Sequence, residues 1–458
     1  MTRTVRTACP LDCFDGCVWL VTVSKDGEIL SVQGDKDNPY TQGFTCPKAK
    51  LQLERHADLK RPVYPMMRTT VGWKRVSWDE ALDTAANAIR KAISLHGAKS
   101  VFYYHDSGSM GSLKRLGQRL FRQLGGTTEP LGSLCWAAGI QAQTYDFGYY
   151  LAHSPEDILN SREILIWGRN PVITNAHLVP FLLKARKAGA HLTLLDPIKS
   201  ETASLCDRWI RVRPGTDAAL ALAMANVVAE ERLLDVPYLS AYTVGFAEYL
   251  EHVCSFTPEW AEGITGVPKD DIRDLAKRYA SNRPSAILMG YGMQRCFSGG
   301  NAVRAIDALS ALTGNIGVRG GGSNYANGWI PSRTRSLAPS PEKNHPPRLF
   351  PRAMLGDLSR LTDPPVQVLV VAGANPVNQA PDSNEVLKAL SAIPMKIVLD
   401  LRWSETCDIA DLFLPVATSL EDYDLYFNSW HSHVTFGEPA VRPAGEALPE
   451  REVWYRLA

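Results

Sequence analysis

Long apolar runs, a secretion signal and an excess of charge of either sign are all missing from this sequence of 458 residues. Without a run of about 18 apolar residues, no transmembrane helix is predicted. The first residues, MTRTVRTACPLDC, contain neither the apolar core of a secretion signal nor an Arg-Arg pair, so we expect a cytoplasmic location unless a partner subunit carries the export signal. The formal net charge of +1 argues against nucleic acid as a partner.

Intrinsic disorder is excluded as well, because 45% of the residues are hydrophobic and only 21% are charged. A chain of this length is predicted to form about three domains of roughly 150 residues each. Residues 331–352 differ from the rest, since they hold six prolines and no apolar periodicity, and they predict a long loop.

Nine cysteines are present, and four of them form the pattern Cys9-x3-Cys13-x3-Cys17-x28-Cys46. Their odd number, in a chain expected to be intracellular, argues against a disulfide framework. Three thiols close in sequence and one remote thiol suit a cubane iron–sulfur cluster, because one loop wraps three corners and a distant residue supplies the fourth. Glycines near these cysteines would let the backbone wrap closely. A four-thiolate zinc site and four free thiols are the alternatives.

The rest of the pattern predicts alternating strands and helices. Residues 18–23 and 28–33 around Asp26-Gly27 predict a hairpin. The capping box that starts at Ser77 begins a helix that Gly97 ends. Further on, strands are predicted at 101–104, 164–167 and 192–195, with a helix at 179–188. Such alternation is typical of parallel α/β units.

An internal repeat divides the α/β region into two related halves. Gly168-Arg169-Asn170-Pro171 recurs 205 residues later as Gly373-Ala374-Asn375-Pro376. Asp196, Ser200-Glu201-Thr202 and Asp207 recur 204 residues later as Asp400, Ser404-Glu405-Thr406 and Asp411. The repeated residues are polar and follow apolar strands, where open sheets bind ligands. We therefore expect two related nucleotide-type sites, although a duplicated domain kept only for its core is the alternative.

The ordered motifs resemble those of the molybdopterin oxidoreductases of the dimethyl sulfoxide reductase family, and the resemblance covers nearly the whole chain. They are, in chain order, the four-cysteine set with Gly43-Phe44-Thr45-Cys46-Pro47-Lys48, Arg75-Val76-Ser77-Trp78-Asp79-Glu80-Ala81, Trp167-Gly168-Arg169-Asn170-Pro171, Arg213-Pro214-Gly215-Thr216-Asp217-Ala218-Ala219-Leu220, Leu312-Thr313-Gly314-Asn315-Ile316-Gly317 with Gly320-Gly321-Gly322, and Gly373-x-Asn375-Pro376.

The resemblance implies a multidomain α/β fold with two related Rossmann-like halves and a small N-terminal iron–sulfur domain. It also implies a [4Fe-4S] cluster on the four N-terminal cysteines, two molybdopterin guanine dinucleotides and one molybdenum or tungsten ion. Lys48 matches the family's lysine between cluster and pterin. The matching cofactor-binding residues are Gly168, Asn170, Pro171, Asp196, Gly215, Thr216 and Asp217 in the first half, Gly373, Asn375, Pro376 and Asp400 in the second, and Gly292.

The family places its protein ligand to the metal in the stretch that reads Gly132-Ser133-Leu134-Cys135-Trp136-Ala137-Ala138-Gly139 here. Cys135 is the expected ligand, because a thiolate suits a soft metal held by dithiolene sulfurs. Ser133 is a second candidate, and a buried packing role is the ordinary alternative for a cysteine between Leu and Trp.

The substrate is less constrained than the cofactors. Cysteine-ligated relatives include formate dehydrogenases, in which a His follows the ligand and an Arg lies before Leu-Thr-Gly-Asn. Arg304 matches that Arg and is the expected catalytic arginine, whereas Trp136 replaces the His and argues against formate. Acetylene hydratase, a non-redox member, uses an Asp beside a cluster cysteine, but Asp12 and Asp15 are not in register with it.

The resulting division of the chain is a cluster domain at 1–60, a first α/β domain at 131–306, a second α/β domain at 61–130 plus 307–425, and a return segment at 426–458. The C-terminal domain that covers both pterins in the family is absent from this sequence, so a shortened chain or a separate chain that supplies the domain is expected. The expected function is two-electron chemistry on a small substrate, with an iron–sulfur subunit or ferredoxin as electron partner. A non-redox hydratase and a non-catalytic cluster-binding chain are the alternatives.

Overall fold

The computed structural model describes residues 2–328 and 345–458. Its strands are β1 (Arg3–Ala8), β2 (Val18–Val23), β3 (Ile29–Gly34), β4 (Met66–Thr69), β5 (Gly72–Arg75), β6 (Val101–His105), β7 (Thr128–Leu131), β8 (Glu163–Trp167), β9 (His191–Leu195), β10 (Arg208–Ile210), β11 (Ser285–Met289), β12 (Gly322–Asn324), β13 (Arg348–Pro351), β14 (Val368–Ala372), β15 (Met395–Asp400), β16 (Leu412–Pro415), β17 (Asp424–Tyr426) and β18 (Thr435–Gly437).

The α-helices span Lys48–Ala57, Trp78–His96, Arg115–Gln123, Ala137–Phe147, Pro171–Thr174, Val179–Lys187, Asp217–Glu230, Val236–Tyr242, Phe246–Val253, Pro258–Thr265, Lys269–Ser281, Gly299–Leu312, Pro376–Gln379, Ser383–Ser391 and Glu450–Leu457. Short 3-10 helices lie at Ala98–Ser100, Pro155–Asn160, Ala176–Leu178, Glu201–Leu205, Tyr291–Arg295, Arg352–Arg360 and Cys407–Ile409.

The N-terminal region is a three-stranded antiparallel sheet in the order β1-β2-β3. The predicted hairpin is confirmed, and Gly27 has the positive φ of +87° at its turn. Valines of β2 are fully buried and pack with Cys9, Cys17 and Trp19 in one small core. The loop between β1 and β2 therefore carries its cysteines on a fixed base.

The first half forms a parallel sheet in the order β10-β9-β8-β11-β12. Its central strand β8 is buried on both faces, as expected for a parallel strand covered by helices. The predicted strands at 164–167 and 192–195 and the helix at 179–188 are confirmed to within one residue.

The second half forms a larger sheet in the order β13-β7-β6-β14-β15-β16-β4-β5. The strands from β13 to β16 pair in parallel, whereas β4 and β5 form an antiparallel hairpin at the edge. The predicted helix after Ser77 packs on this sheet. The Ser77 side chain accepts a hydrogen bond from the Glu80 amide and caps it, and Gly97 ends it.

The internal repeat corresponds to three pairs of strands. The first half runs β8, β9 and β10, and the second half repeats this order as β14, β15 and β16. The short helices Pro171–Thr174 and Pro376–Gln379 occupy the same place after the first strand of each triplet. The duplication seen in the sequence is thus a duplication of sheet topology.

Two expected boundaries differ from the structure. The division between residues 306 and 307 cuts through the helix Gly299–Leu312, and β12 pairs with β11, so residues up to 324 belong with the first sheet. Within the expected loop at 331–352, residues 345–352 are described, and Arg348–Pro351 forms the edge strand β13. Proline is tolerated there because an edge strand leaves one side of its backbone unpaired. Residues 331–344 lie outside the described residues.

No helix in the described ranges is both long enough and apolar enough to cross a membrane.

Candidate functional site

The cysteine loop is closed at its base by a backbone hydrogen bond from the Cys9 amide to the Cys17 carbonyl, at 2.8 Å. Cys13 lies at its outer turn, and Cys46 approaches from the segment before the helix Lys48–Ala57. Gly16 and Gly43 have φ values of +54° and +80°, which non-glycine residues rarely adopt. The two turns therefore depend on glycine, as the sequence suggested.

The four thiols lie within electrostatic range of one another. Burial raises the pKa of Cys9 and Cys17 strongly and that of Cys13 to about 12, and the other cysteines raise the pKa of Cys9 and Cys17 further. Thiolates in such a place need a bound cation, because the metal charge offsets their desolvation and mutual repulsion. In the described ranges, no group of three or more His, Cys, Asp or Glu side chains is arranged to hold a metal ion. Three thiols on one loop and a fourth on a following segment suit the corners of a cubane iron–sulfur cluster.

Lys48 lies between the cysteine loop and the first α/β half. Its ammonium donates a hydrogen bond of 2.7 Å to the carbonyl of Ile173, in the helix Pro171–Thr174 that follows Asn170. It also lies within electrostatic range of the Cys13 thiol, whose pKa it lowers against the effect of burial. This position spans the gap between the cysteine loop and a predicted cofactor edge.

A cavity of about 670 Å³ opens at the carboxyl ends of β6, β14, β15 and β16. Gly373, Asn375 and Asp400, the second-half residues predicted to bind a nucleotide, line it together with Ser133 and Trp136. Pro376 begins the short helix beside it. Ligands of open α/β sheets bind in the crevice outside the carboxyl ends of the strands, which is where this cavity lies.

Close backbone contact shapes the cavity floor. The Gly108 amide donates to the Gly373 carbonyl at 3.0 Å, and a Cβ atom on Gly108 would lie 2.6 Å from that carbonyl oxygen. Gly373 has a φ of +58°, and Asn375 Oδ1 accepts a hydrogen bond of 2.6 Å from Thr406. Burial raises the pKa of Asp400, whose carboxylate accepts from two backbone amides. The two glycines keep side-chain bulk out of this strand end, and Asp400 places a carboxylate in the cavity lining.

The first half repeats this scaffold. Gly168 has a φ of +59°, and Asn170 Oδ1 accepts a hydrogen bond of 2.6 Å from Thr202. A Cβ atom on Gly290 would lie 1.8 Å from the Gly168 carbonyl oxygen, so two strand ends touch here as well.

The remaining first-half residues lie around the same strand ends. Asp196 and Asp217 lie within electrostatic range, and burial is the largest cause of the raised pKa of each. Asp217 accepts a hydrogen bond of 2.8 Å from Trp167 Nε1 and begins the helix Asp217–Glu230. Gly215 has a φ of +78°, Thr216 donates to the Arg213 carbonyl at 2.6 Å, and Gly292 lies in Tyr291–Arg295 with open space where a Cβ atom would be.

Two repeated acids do not face the ligand edge. Asp207 accepts a hydrogen bond of 2.9 Å from the Leu192 amide, and Asp411 accepts one of 2.8 Å from the Lys396 amide. Both amides are near the amino ends of their strands, opposite the cavity side. This part of the repeat is structural, and the expectation that repeated polar residues mark ligand sites does not extend to it.

Cys135 lies in the turn between β7 and the helix Ala137–Phe147, beside the cavity. Burial raises the pKa of its thiol to about 11, with a further contribution from Asp12. The Arg295 guanidinium lies within electrostatic range of the thiol and opposes this shift. Ser133 accepts a hydrogen bond of 3.1 Å from the Cys135 amide, which makes it a support for the turn.

Arg304 is placed differently from the expectation of a catalytic arginine. Its side chain is half exposed and donates to Asp146 Oδ1 at 2.7 Å, within the contact between the helices Gly299–Leu312 and Ala137–Phe147. Arg295 is the arginine that reaches the Cys135 thiol. Sequence reasoning missed Arg295, whose only signal was its position shortly after the strand β11.

Asp12 is a second residue near Cys135 that the sequence did not single out as a site. Burial raises its pKa, while Lys114 and a hydrogen bond with Ser107 lower it. Ser107 and Lys114 line the large cavity. The Asp12 carboxyl group thus lies within electrostatic range of both the Lys114 ammonium and the Cys135 thiol.

Comparison with known proteins agrees with this architecture. The Molybdopterin oxidoreductase family model matches residues 61–458, and the Molybdopterin oxidoreductase Fe4S4 domain model matches residues 2–57. The protein named Probable oxidoreductase YyaE of Bacillus subtilis is 37% identical over 461 residues, which cover 100% of this chain and 69% of that protein. Dimethyl sulfoxide reductase DmsA of Escherichia coli is 29% identical over 519 residues, covering 100% of this chain and 64% of DmsA.

The solved structure of acetylene hydratase from Pelobacter acetylenicus has the same fold. It superposes with a TM-score of 0.84 at 23% identity and covers 99% of this chain and 68% of the acetylene hydratase chain. The chain thus spans about two thirds of the length of the proteins that it matches.

Proposed function

Because the chain belongs to the molybdopterin oxidoreductase family with an N-terminal Fe4S4 domain, we propose that it carries out two-electron chemistry on a small molecule at a molybdenum or tungsten centre. Cys9, Cys13, Cys17 and Cys46 would hold a [4Fe-4S] cluster, and Cys135 would ligate the metal. When bound, the metal and its pterins supply the two-electron redox step.

The observation that carries this proposal is the meeting of two features at one cavity. The turn that holds Cys135 reaches the 670 Å³ space through its neighbours Ser133 and Trp136, and the predicted nucleotide residues Gly373, Asn375 and Asp400 line the same space. A cofactor that spans from a nucleotide edge to a thiolate ligand fits this arrangement.

Two guanine dinucleotides, one per half, are the cofactor form that we propose. Each half presents a glycine with positive φ, an Asn held by a Thr hydroxyl and a strand-end Asp. The physical basis is common to both halves: exposed amides at a turn bind pyrophosphate, and a carboxylate accepts hydrogen bonds from ribose or guanine. The proposal includes the domain division predicted from the sequence. The end of the first α/β domain is moved beyond residue 324.

Electrons would pass between the metal and the surface through Lys48 and the cluster. Lys48 is hydrogen-bonded to the first half and electrostatically coupled to Cys13, so it bridges the two sites. Phe44 is 46% exposed beside Cys46 and lines a hollow of about 140 Å³ with His177 and Lys184. An iron–sulfur subunit or a ferredoxin would dock at this hollow.

The substrate would be small, because Trp136 forms part of the cavity wall next to the ligand turn. Formate oxidation would be slow or absent, since Trp136 stands where a proton-accepting His would be and Arg304 is paired with Asp146. Anaerobic assays with formate and an artificial electron acceptor test this point directly. Rapid formate oxidation by the purified holoenzyme would contradict it.

Reductase activity is tested with an electron donor in place of the electron acceptor. Dithionite-reduced methyl viologen serves as donor, and dimethyl sulfoxide, trimethylamine N-oxide, polysulfide and nitrate serve as candidate acceptors. Oxidation of the dye that depends on one of these acceptors and on Cys135 supports the proposal. Metal-loaded protein that reacts with none of them and oxidises no small donor contradicts it.

Non-redox hydration is the second candidate, and Asp12 is the observation that favours it. Its carboxyl group lies near both Cys135 and Lys114, where it would assist the addition of water to a metal-bound substrate. Product formation from acetylene without any electron acceptor would favour hydration. Turnover that requires an acceptor or a donor would favour the redox reaction.

A further inference from the structure

Arg169 occupies the variable position of the first-half Gly-x-Asn-Pro motif, where the second half has Ala374. Its side chain is almost fully buried, at 2% exposure. The guanidinium carbon lies 4.2 Å from the ring centre of Phe14 and 4.0 Å from that of Trp430. Phe14 belongs to the cysteine loop, between Cys13 and Cys17, so this cation is held directly against the predicted cluster loop.

The charge of Arg169 is only partly compensated by hydrogen bonds. One terminal nitrogen donates to Asn175 Oδ1 at 2.6 Å, whereas Nε and the other terminal nitrogen are buried without a hydrogen-bond partner. Burial lowers the pKa of Arg169 to about 10, which leaves it protonated at neutral pH. A buried cation of this kind is costly unless negative charge lies nearby.

A chain of side-chain contacts runs from Arg169 to a cluster cysteine. Asn175 Nδ2 donates to Asp15 Oδ1, and Asp15 Oδ2 lies 3.0 Å from His177 Nδ1. The His177 ring nitrogens lie 3.8 Å from Cys17 Sγ, and Nε2 lies 2.8 Å from the Phe44 carbonyl oxygen. Each side chain in this series of contacts, from Arg169 to Cys17, is buried.

Asp15 carries the carboxylate that lies near Arg169 in this network, and the guanidinium is otherwise surrounded by aromatic rings. Within this series of side-chain contacts Asp15 supplies the carboxylate, and it already contacts His177 and Asn175. Tyr40, Tyr291 and Trp430 complete the surroundings with neutral rings. A cubane held by four thiolates is anionic, and its potential responds to nearby charge and to hydrogen bonds near its sulfurs. The buried cation against the cysteine loop would therefore stabilise the more negative, reduced form of a cluster bound there.

We propose that Arg169 is a positioning residue that raises the reduction potential of the [4Fe-4S] cluster, through its buried charge and through the chain Asn175–Asp15–His177 that ends at Cys17. The inference rests on the proposed function, because it requires a cluster on the four N-terminal cysteines. It gives the first-half Gly-x-Asn-Pro motif a second role in addition to cofactor binding, namely to set the reduction potential of the cluster.

The experiment compares the cluster potential in wild type, Arg169→Gln, Arg169→Met and Arg169→Lys, each purified anaerobically as holoenzyme. The control is Lys187→Gln, which removes one positive charge from an exposed side chain at the end of the helix Val179–Lys187. Iron per chain is measured first, and the fraction of reduced cluster is then followed by electron paramagnetic resonance during a redox titration.

With four irons retained, the neutral variants should change the ratio of reduced to oxidised cluster about tenfold toward the oxidised form at a fixed potential, which is about 59 mV for a one-electron couple. Arg169→Lys should recover most of the shift, and Lys187→Gln should match the wild type.

Neutral variants that hold four irons at the wild-type potential would overturn the proposal. Loss of iron from both neutral variants would also overturn it, in favour of a role in building the loop. Wild-type protein without iron would instead contradict the proposed function, so the two failures are distinguishable.

Discussion

The two α/β halves present the same strand-end scaffold to different surroundings. In each half a glycine with φ near +60° precedes an Asn whose side-chain oxygen accepts a 2.6 Å hydrogen bond from a Thr. In the second half this scaffold lines a large cavity that reaches the Cys135 turn. In the first half it meets the cysteine loop, where Arg169 packs between Phe14 and Trp430.

The difference between the halves lies in the residue that the motif leaves variable. In the second half Ala374 is small and leaves the cavity open. In the first half Arg169 fills the corresponding place with a charged side chain. The two halves thus repeat one strand-end scaffold, and the residue at the variable motif position gives each copy different neighbours. Lys48 extends the first-half specialisation, because its ammonium ties the cysteine loop to the same strand end.

The largest effect is expected at the second-half cavity, from Cys135→Ala. Removal of the proposed metal ligand should lower turnover by more than the roughly 10–100-fold typical of losing a group that only supports a ligand. Iron should remain at the wild-type level, because Cys135 is not one of the four cysteines expected to bind the cluster. Turnover with an artificial electron partner and metal analysis check both expectations.

Cys254→Ala is the matched control, since Cys254 is exposed and distant in sequence from both cysteine sites. Full activity in Cys135→Ala would contradict the ligand assignment and direct attention to Ser133.

The two halves should differ in how well their close backbone contacts tolerate an added Cβ atom. A Cβ atom on Gly290 would lie 1.8 Å from the Gly168 carbonyl oxygen, and one on Gly108 would lie 2.6 Å from the Gly373 carbonyl oxygen. Overpacking of this kind costs about 1–3 kcal/mol, and we expect Gly290→Ala to lower Tm more than Gly108→Ala.

Gly263→Ala is the control for this pair, because its Cβ atom would meet nothing within 4 Å inside the helix Pro258–Thr265. Alanine there should stabilise by about 0.5–1 kcal/mol. An order of Tm values that places Gly108→Ala below Gly290→Ala would show that the halves are packed differently from the structure.

The two Asn residues should have equal effects if the halves hold equivalent nucleotides. Asn170→Ala and Asn375→Ala each leave a buried Thr hydroxyl without its acceptor, which costs about 1–3 kcal/mol. Each should also reduce pterin content from two toward one per chain. Guanine release and pterin fluorescence after denaturation measure this content, with Asn160→Ala as an exposed control. Loss of all pterin from one variant alone would contradict two independent sites.

Lys48→Met should affect electron transfer without changing metal content. The substitution removes the charge beside Cys13 and the hydrogen bond to Ile173, so intramolecular reduction of the cluster should slow. Lys48→Arg should slow it less, although its geometry differs. Lys50→Met, at an exposed position of the same helix, is the control for stopped-flow measurements. Unchanged kinetics in Lys48→Met would relegate Lys48 to a surface role.

The smallest effect is expected from Glu450, which lines the second-half cavity. Burial raises its pKa to about 7, so the folded protein holds a proton that the unfolded chain releases near pH 4.5. Its contribution to stability is therefore present at low pH and is lost as the pH rises from about 4.5 through about 7. Glu450→Gln should flatten this part of the Tm–pH curve, whereas Glu452→Gln, at a half-buried position on the same helix, should not. A wild-type curve without such a fall would contradict the burial of this carboxyl group.

Local signals predicted much of the fold. The hairpin at Gly27, the capping box at Ser77 and the repeat of strands after Gly168 and Gly373 were readable because each depends on residues close in sequence. The membership of β12 in the first sheet could not be predicted from local signals, because it depends on pairing with β11 across a helix and a glycine-rich turn.

The site was predictable to the level of motifs and less so for side-chain partners. Arg304 was expected at the reaction centre, yet Asp146 on a neighbouring helix pairs with it. Arg295 and the surroundings of Arg169 could not be inferred, because the contacts of Arg169 join the cysteine loop to Trp430 near the other end of the chain. Contacts between residues so distant in sequence leave no periodic pattern.

Metal and pterin analysis of the purified, anaerobically prepared chain tests the central claim most directly. The account predicts four irons with acid-labile sulfide, one molybdenum or tungsten and two pterins per chain, and it predicts that the Cys135→Ala protein keeps the iron. One zinc without iron would contradict the cluster assignment. Four irons without molybdenum, tungsten or pterin, in protein made with all three available, would leave a cluster-binding chain and contradict the proposed enzyme.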